Sequence, residues 1–395
     1  MALGRQKLLQ LIHLAAAATE EAFDEARRRR WQRTGSHQPE QIAAYHGYAD
    51  GNGVHLSGRV LANRPSGGPL DDDSWWDNLA NTWRRWESDE VAGAAVTLEF
   101  GGQEQTVVTD EEGYYSAVFP APVSGDLLWL SATASTSSSQ GSITARHQIL
   151  VPPAAANFGI ISDIDDTVLH TGITSLLLAA KLTFIENAKT RKPLDGVAEL
   201  YRTLQHGMAG KPTNPIFYIS SSPWNLYDLL IDFLMLNEIP AGPLLLRDLG
   251  LDRTKFIKEK GHGHKLEKAL RLLDAYPELP FILIGDSGQE DPAIYAEVAR
   301  QRPGRILACY IRDVDPDIDS THDTAVHRAV DLARLQGVPM ILARDSRVIS
   351  EHAAAVGLIP RSSLPGVAQD AIADKARPET GEQAVQDALE SIVPE

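Results

Sequence analysis

FGIISDIDDT, residues 158–167, decides the fold. An apolar run from Phe158 to Ile161 gives way within two positions to three carboxylates, Asp163, Asp165 and Asp166. In an extended chain alternate side chains share a face, so Asp163 and Asp165 aim at one place while Ile164 turns into the core. Two like charges about 4 Å apart repel by about 1 kcal/mol in water and by about 4 kcal/mol at an effective dielectric of 20. Such a pair at the end of a buried strand calls for a positive partner.

The same grammar recurs downstream. IFYIS (216–220), PLLL (243–246), FILIG (281–285), RILACYI (305–311) and PMILA (339–343) are continuous apolar runs, separated by helical stretches such as LYDLLIDFLML (226–236) and KLEKALRLLDAY (265–276). Strands apolar on both faces and alternating with helices predict a parallel sheet in an α/β domain, whose ligands gather beyond the carboxyl ends of the strands. Two further strand ends carry polar groups: Ser220 followed by Ser221 and Ser222, and Asp286 followed after a turn by Asp291. Between them KFIKEKGHGHKLEKAL (255–270) gathers cations, and Lys265 opens a helix. Taken singly, these residues have plainer readings. A strand-end serine forms turns, a helix lysine is solvated, Asp166 and Thr167 cap a helix, and His262 and His264 are surface histidines at a helix start. Their shared place at strand ends is what joins them. Carboxylates without histidine or cysteine clusters suit a hard cation such as Mg²⁺.

Upstream the period changes to two. VHLSGRV, AAVTLEF, EQTVVT, YYSAVF, LLWLSATA and SITARHQILV alternate with turn signals such as DEEG, which predicts a small antiparallel β-sandwich. A helical insert rich in tryptophan, DDDSWWDNLANTWRRWES, interrupts its first strands and is expected to pack. The expected organisation is an N-terminal amphipathic helix and linker over 1–50, the sandwich over 51–152, the α/β domain over 153–360 and a flexible tail over 361–395, with a boundary at VPPAAAN.

The formal charge of −16 over 395 residues argues against nucleic acid as a partner. Cys309 is the single cysteine, which excludes an intramolecular disulfide and any multi-cysteine metal site; within ILACYI it reads as a buried thiol. No apolar run is long enough to span a bilayer. The opening MALGRQKLLQLIHLAAAATEEAF continues into EEAFDEARRRRW, and is expected to be an uncleaved amphipathic helix on a cytoplasmic protein.

The strand-end motifs then point to a family. DIDDT, a strand-end serine, a lysine and GDSGQED resemble the four motifs of the haloacid dehalogenase superfamily of aspartate-nucleophile phosphatases, DxDxT being the phosphatase form. More narrowly, SDIDDT with SSPW, GHK, IGDSGQEDPAIY and YIRDV is similar to the catalytic domain of actin-patch-type phosphatidate phosphatases over residues 155–315, and the sandwich is similar to the domain preceding it in bacterial relatives. The second serine of SSSPW departs from the asparagine usual there, which bears on the shape of the pocket.

The resemblance implies a Rossmann-like sheet with a small cap. It makes Asp163 the nucleophile that forms an aspartyl phosphate and Asp165 the acid/base that protonates the leaving alkoxide and then activates water. It assigns Mg²⁺ to Asp163, the Asp165 carbonyl and Asp286, with Asp291 in support, and the transferring oxygens to Ser220 and Lys265. Ser221, Thr167 and His264 are the expected substrate contacts.

The short connection between the first two motifs leaves the pocket open, which favours a phospholipid substrate presented at a membrane surface, reached peripherally and not by an integral span. The helix over 3–33, with Leu8, Leu11, Ile12 and Ala15 on one side and RRRRWQR at its end, suits an anionic surface. Asp24 with Arg28 and Glu25 with Arg29 are equally spaced for intrahelical pairs, and the apolar side equally fits the sandwich. Two other readings stand beside phosphatidate hydrolysis: a phosphatase for another phosphomonoester, such as a phosphoprotein or nucleotide, and a non-catalytic recruitment protein.

Overall fold

The computed structural model describes residues 39, 41–62, 90–121, 125–139, 141–164, 195–247, 263–288, 290–313 and 321–376. The N-terminal helix, the tryptophan-rich insert, Asp165, Asp166, Thr167, the cap segment and His262 lie outside the described residues.

The first half is an eight-stranded, mainly antiparallel sheet folded on itself. Its strands are β1 (Gln41–Ala44), β2 (Gly47–Asp50), β3 (Gly53–Leu61), β4 (Ala95–Phe100), β5 (Gln103–Val108), β6 (Tyr114–Phe119), β7 (Trp129–Ser138) and β8 (Gly141–Leu150). The path β1-β3-β2-β8-β7-β4-β5 is closed over by β6, which pairs with β3 and lies beside β5, where Gln105 Nε2 donates to the Val118 carbonyl at 2.9 Å. Alternation decides which side chains go in: Val54, Leu56, Val96, Leu98, Phe119 and Ile149 form the core. The DEEG turn between β5 and β6 is closed by Asp110 Oδ1, which accepts from the Glu112 and Tyr114 N–H groups. Gly113 sits there at φ 79°, where a Cβ would also strike the Val60 carbonyl at 2.7 Å.

The helix and linker expected over 1–50 are corrected at their end, since Gln41–Ala44 and Gly47–Asp50 are the strands β1 and β2. QIAA and GYAD are too short to display a period of two, and tertiary pairing makes them strands. β1 pairs antiparallel with β3, and β2 runs antiparallel to β3 and parallel to β8.

The second half is an all-parallel sheet of β9 (Gly159–Asp163), β10 (Ile216–Pro223), β11 (Leu244–Arg247), β12 (Phe281–Asp286), β13 (Ile306–Arg312) and β14 (Met340–Ala343), in the order β11-β10-β9-β12-β13-β14. Every residue of β9 and β12 is buried, as continuous apolar strands require. Among the described residues the α-helices are α1 (Val197–His206), α2 (Tyr227–Leu236), α3 (Gly263–Ala275), α4 (Asp291–Gln301), α5 (Thr321–Leu335), α6 (Ser346–Ala355) and α7 (Leu364–Ala376). Strand order reverses between β9 and β12, and in open parallel sheets the crevice beyond the carboxyl ends at such a reversal is where ligands bind.

Two sets of contacts fix helix ends of this half. Arg305 Nη2 donates to the carbonyls of Leu273, Tyr276 and Leu279, closing the end of α3. Asp374 and Asp370 of α7 accept from the Gly196 and Glu199 N–H groups at the start of α1, at 2.9 and 3.1 Å. Val367 and Ala371 of α7 are buried as well. The flexible tail expected over 361–395 is therefore corrected for 364–376, a helix whose weak amphipathic pattern concealed it and whose carboxylates cap another helix.

The halves share a core. Leu128, Leu150 and Trp129 pack with Phe217, Tyr276 and Phe281, and Tyr276 Oη donates to the Ala49 carbonyl at 2.9 Å. Cys309 is fully buried in this cluster, and burial pushes its thiol up.

Candidate functional site

Register brings the tips of three strands level. Asp163 on β9 lies opposite Ile219 on β10, so Ser220 is one residue further on; Ser162 lies opposite Ile284 on β12, so Asp286 is two beyond that point. Asp291 follows at the first turn of α4, with Pro292 beside it, where a carboxylate is favoured by the helix dipole. The three carboxylates Asp163, Asp286 and Asp291 are buried, and each offers an oxygen within 4.8 Å of the others.

Lys265, in the first turn of α3, closes the group. Its Nζ lies 2.9 Å from Asp163 Oδ1 and 2.9 Å from Asp291 Oδ1, with the lysine side chain 3% exposed, so the pairs are almost wholly shielded from water. Asp291 Oδ2 accepts from the Asp286 N–H at 3.3 Å. This close approach needs Gly285, because a Cβ there would meet Asp291 Oδ2 at 2.5 Å and the Tyr295 ring at 2.9 Å.

Around this centre lie residues that sequence reasoning did not select. Ser162 Oγ donates to the Asp163 carbonyl at 2.8 Å and meets Tyr201 Oη of α1 at 2.7 Å. Tyr295 Oη donates to the Ile284 carbonyl at 2.8 Å. Burial pushes the Tyr295 phenol well up, and the negative charges of Asp291, Asp163 and Asp286 push in the same direction. Tyr295 stands four residues after Asp291, a helical spacing visible in EDPAIY; Tyr201, remote in sequence, left no such signal.

At the end of β10, where its register against β11 shifts between Ile219 and Pro223, the serine run closes a side-chain turn. Ser220 is fully buried and its Oγ accepts from the Ser222 N–H at 2.9 Å. Ser221 Oγ lies 3.2 Å from His264 Nε2, so His264 is buried against the turn and is not the surface histidine of the plainer reading.

Asp163, Asp286, Asp291 and Lys265 thus meet in one cluster, while Ser220 and Ser221 stand at the end of the neighbouring strand, with His264 of α3 against Ser221. The donor set suits a hard cation such as Mg²⁺ in its chemistry: oxygen-only, anionic and buried, with one oxygen from each residue within 4.8 Å of the others. One ammonium bridges two of the three carboxylates, and a divalent cation would supply the balancing charge. Among the described residues no helix is long and apolar enough to cross a membrane.

Residues 158–313 match the family described as the catalytic domain of phosphatidate phosphatase APP1. Phosphatidate phosphatase APP1 of Saccharomyces cerevisiae is 31% identical over 216 residues, which is 54% of this chain and 36% of the yeast protein. An uncharacterized protein of Schizosaccharomyces pombe is 29% identical over 219 residues, 54% of this chain and 35% of that protein. The chain thus spans little more than a third of the length of these relatives. A solved carbohydrate acetylesterase of Xanthomonas citri aligns over 73% of this chain and 71% of its own at 12% identity and a TM-score of 0.24, a likeness too slight to bear on the fold.

Proposed function

We propose that this chain is a Mg²⁺-dependent phosphatase of the haloacid dehalogenase type that hydrolyses phosphatidate to diacylglycerol and phosphate. One observation carries the reading: within the segment matching a phosphatidate phosphatase catalytic domain, three buried carboxylates and one buried lysine converge where the parallel sheet reverses its order. A folding core gains nothing from such a cluster, whereas phosphoryl transfer depends on positioned charge.

In this reading Asp163 Oδ attacks phosphorus in line and the alkoxide leaves, giving an aspartyl phosphate that water later hydrolyses. Ser162, hydrogen-bonded to the Asp163 carbonyl and to Tyr201, steadies the peptide of the nucleophile. Lys265 orients Asp163 and is placed to balance charge on the transferring oxygens, and Ser220 lines the adjacent turn. Asp286 and Asp291 with Asp163 would hold Mg²⁺, which when bound neutralises phosphate charge and shields the nucleophile from the anion it attacks. The acid/base role of Asp165 rests on the DxDxT resemblance alone. A lipid substrate implies peripheral contact with a membrane surface.

The test is phosphate release from phosphatidate in mixed micelles beside soluble phosphomonoesters, with and without EDTA. The reading predicts preference for phosphatidate and loss of turnover in EDTA. Soluble esters turned over faster by orders of magnitude would remove the lipid assignment, and EDTA-resistant turnover would remove the metal.

A further inference from the structure

The turn at Ser220–Trp224 is held from three directions, and one of them is the antiparallel sheet. From within, Ser220 Oγ accepts from the Ser222 N–H; from α3, His264 meets Ser221. From the β1–β2 connection, Tyr45 lays its ring on Trp224, with centroids 5.2 Å apart and planes 15° from parallel, and on Tyr227, with centroids at 4.0 Å. The next residue adds polar fastening: the His46 N–H donates to Tyr227 Oη at 2.6 Å, and His46 Nδ1 lies 3.3 Å from the Gly242 carbonyl. Tyr45 is itself fixed from behind. Its carbonyl accepts from Nδ1 of the fully buried His147 at 2.9 Å, and Tyr115 Oη meets His147 Nε2 at 3.0 Å.

We propose that Tyr45 is a positioning residue for the phosphatase site: its ring fixes Trp224, and through Trp224 the Ser220–Ser222 turn that lies next to Asp163 in the sheet. This rests on the function proposed above and deepens it, because Tyr45 lies outside the segment 158–313 that matches the catalytic domain. The antiparallel sheet then completes the geometry of the turn that faces the phosphoryl group. Two features favour this over plain interface packing. The stack falls on the residue directly following the SSSP turn, and the Tyr45 backbone is locked by a buried hydrogen-bond chain that a merely hydrophobic contact would not need. A displacement of about 1 Å in a catalytic group costs up to about 100-fold in rate, so a small loosening of this turn is expected to be visible in turnover.

The test uses the full chain with Mg²⁺ and short-chain phosphatidate, comparing wild type, Tyr45→Ala, Tyr45→Phe and Val96→Ala. The last removes volume from the antiparallel core in β4, which pairs with β5 and β7 and with neither β1 nor β2, and controls for lost stability. Three quantities are read below every melting temperature: kcat, KM, and amide hydrogen exchange of a peptide spanning residues 216–226. Tyr45→Ala is expected to lower kcat about 10- to 100-fold with KM within about twofold, and to speed exchange in that peptide. Tyr45→Phe keeps the ring and restores both; Val96→Ala lowers the melting temperature and moves neither. Unchanged exchange or unchanged kcat in Tyr45→Ala, or an equal loss of kcat in Val96→Ala, overturns the proposal. Wild-type protein without turnover on any phosphomonoester would overturn the proposed function instead, and exchange would still decide whether Tyr45 holds the turn.

Discussion

Among the described residues, two buried polar clusters are built on opposite rules. In the antiparallel sheet, Tyr115, His147 and the Tyr45 carbonyl form a neutral chain in which each donor meets one acceptor; the carbonyl only accepts, so His147 carries its proton on Nδ1 and takes the Tyr115 O–H on Nε2. Burial lowers the His147 pKa and raises that of Tyr115, which keeps both uncharged. At the tips of the parallel sheet, three carboxylates crowd around one lysine. The first cluster is satisfied within the protein and holds the Tyr45 backbone in place. The second gathers like charges where burial makes them most costly, and its sense lies in a ligand and a reaction.

The comparison breaks most sharply at Asp163. Asp163→Asn is expected to lower phosphate release by about 10⁴-fold or more while far-UV circular dichroism stays unchanged, since the amide keeps the volume and loses the nucleophile. A deletion in the neutral cluster is expected to fall mainly on stability: Tyr115→Phe destabilises by about 1–3 kcal/mol in urea unfolding, because His147 Nε2 loses its donor, and it reaches turnover only as far as it loosens the Tyr45 backbone.

Lys265→Met sharpens the contrast in stability. It strands Asp163 and Asp291 in a site that is nearly dry, and about 3–5 kcal/mol of stability is expected to be lost in EDTA, with part of it returned by Mg²⁺. Loss in EDTA that Mg²⁺ does not repair would mean the cluster is a structural ion-pair network.

The smallest effect is in pH. His46 and His147 have pKa values lowered by burial, so the unfolded chain binds protons that the folded chain refuses. Their contribution is intact above the unfolded value near 6.5 and declines as pH falls through it toward the lower folded values. The melting temperature is therefore expected to fall between about pH 7.5 and about pH 5.5, and a flat profile would contradict neutral burial.

The parallel sheet was legible because its strands are continuous apolar runs whose polar ends stand out, and Asp163, Ser220, Lys265, Asp286 and Asp291 sit at those ends or in the helices that follow. Periodicity of two likewise exposed β3 to β8. β1, β2 and α7 stayed hidden because four-residue strands and a weakly amphipathic helix take their form from partners: β3, β8 and the start of α1. Tyr201, Ser162 and Tyr45 stayed hidden for a related reason. Their roles come from contacts between residues 39 to 179 positions apart, which no local pattern records.

The central claim is that the acidic strand tips form one cation site. Isothermal titration of the EDTA-stripped chain with millimolar Mg²⁺ tests it without recourse to activity, in wild type and in Asp286→Asn. One saturable site in the wild type, weakened at least about tenfold by Asp286→Asn, is the predicted result. Equal binding by the two proteins, or none by the wild type, would contradict it.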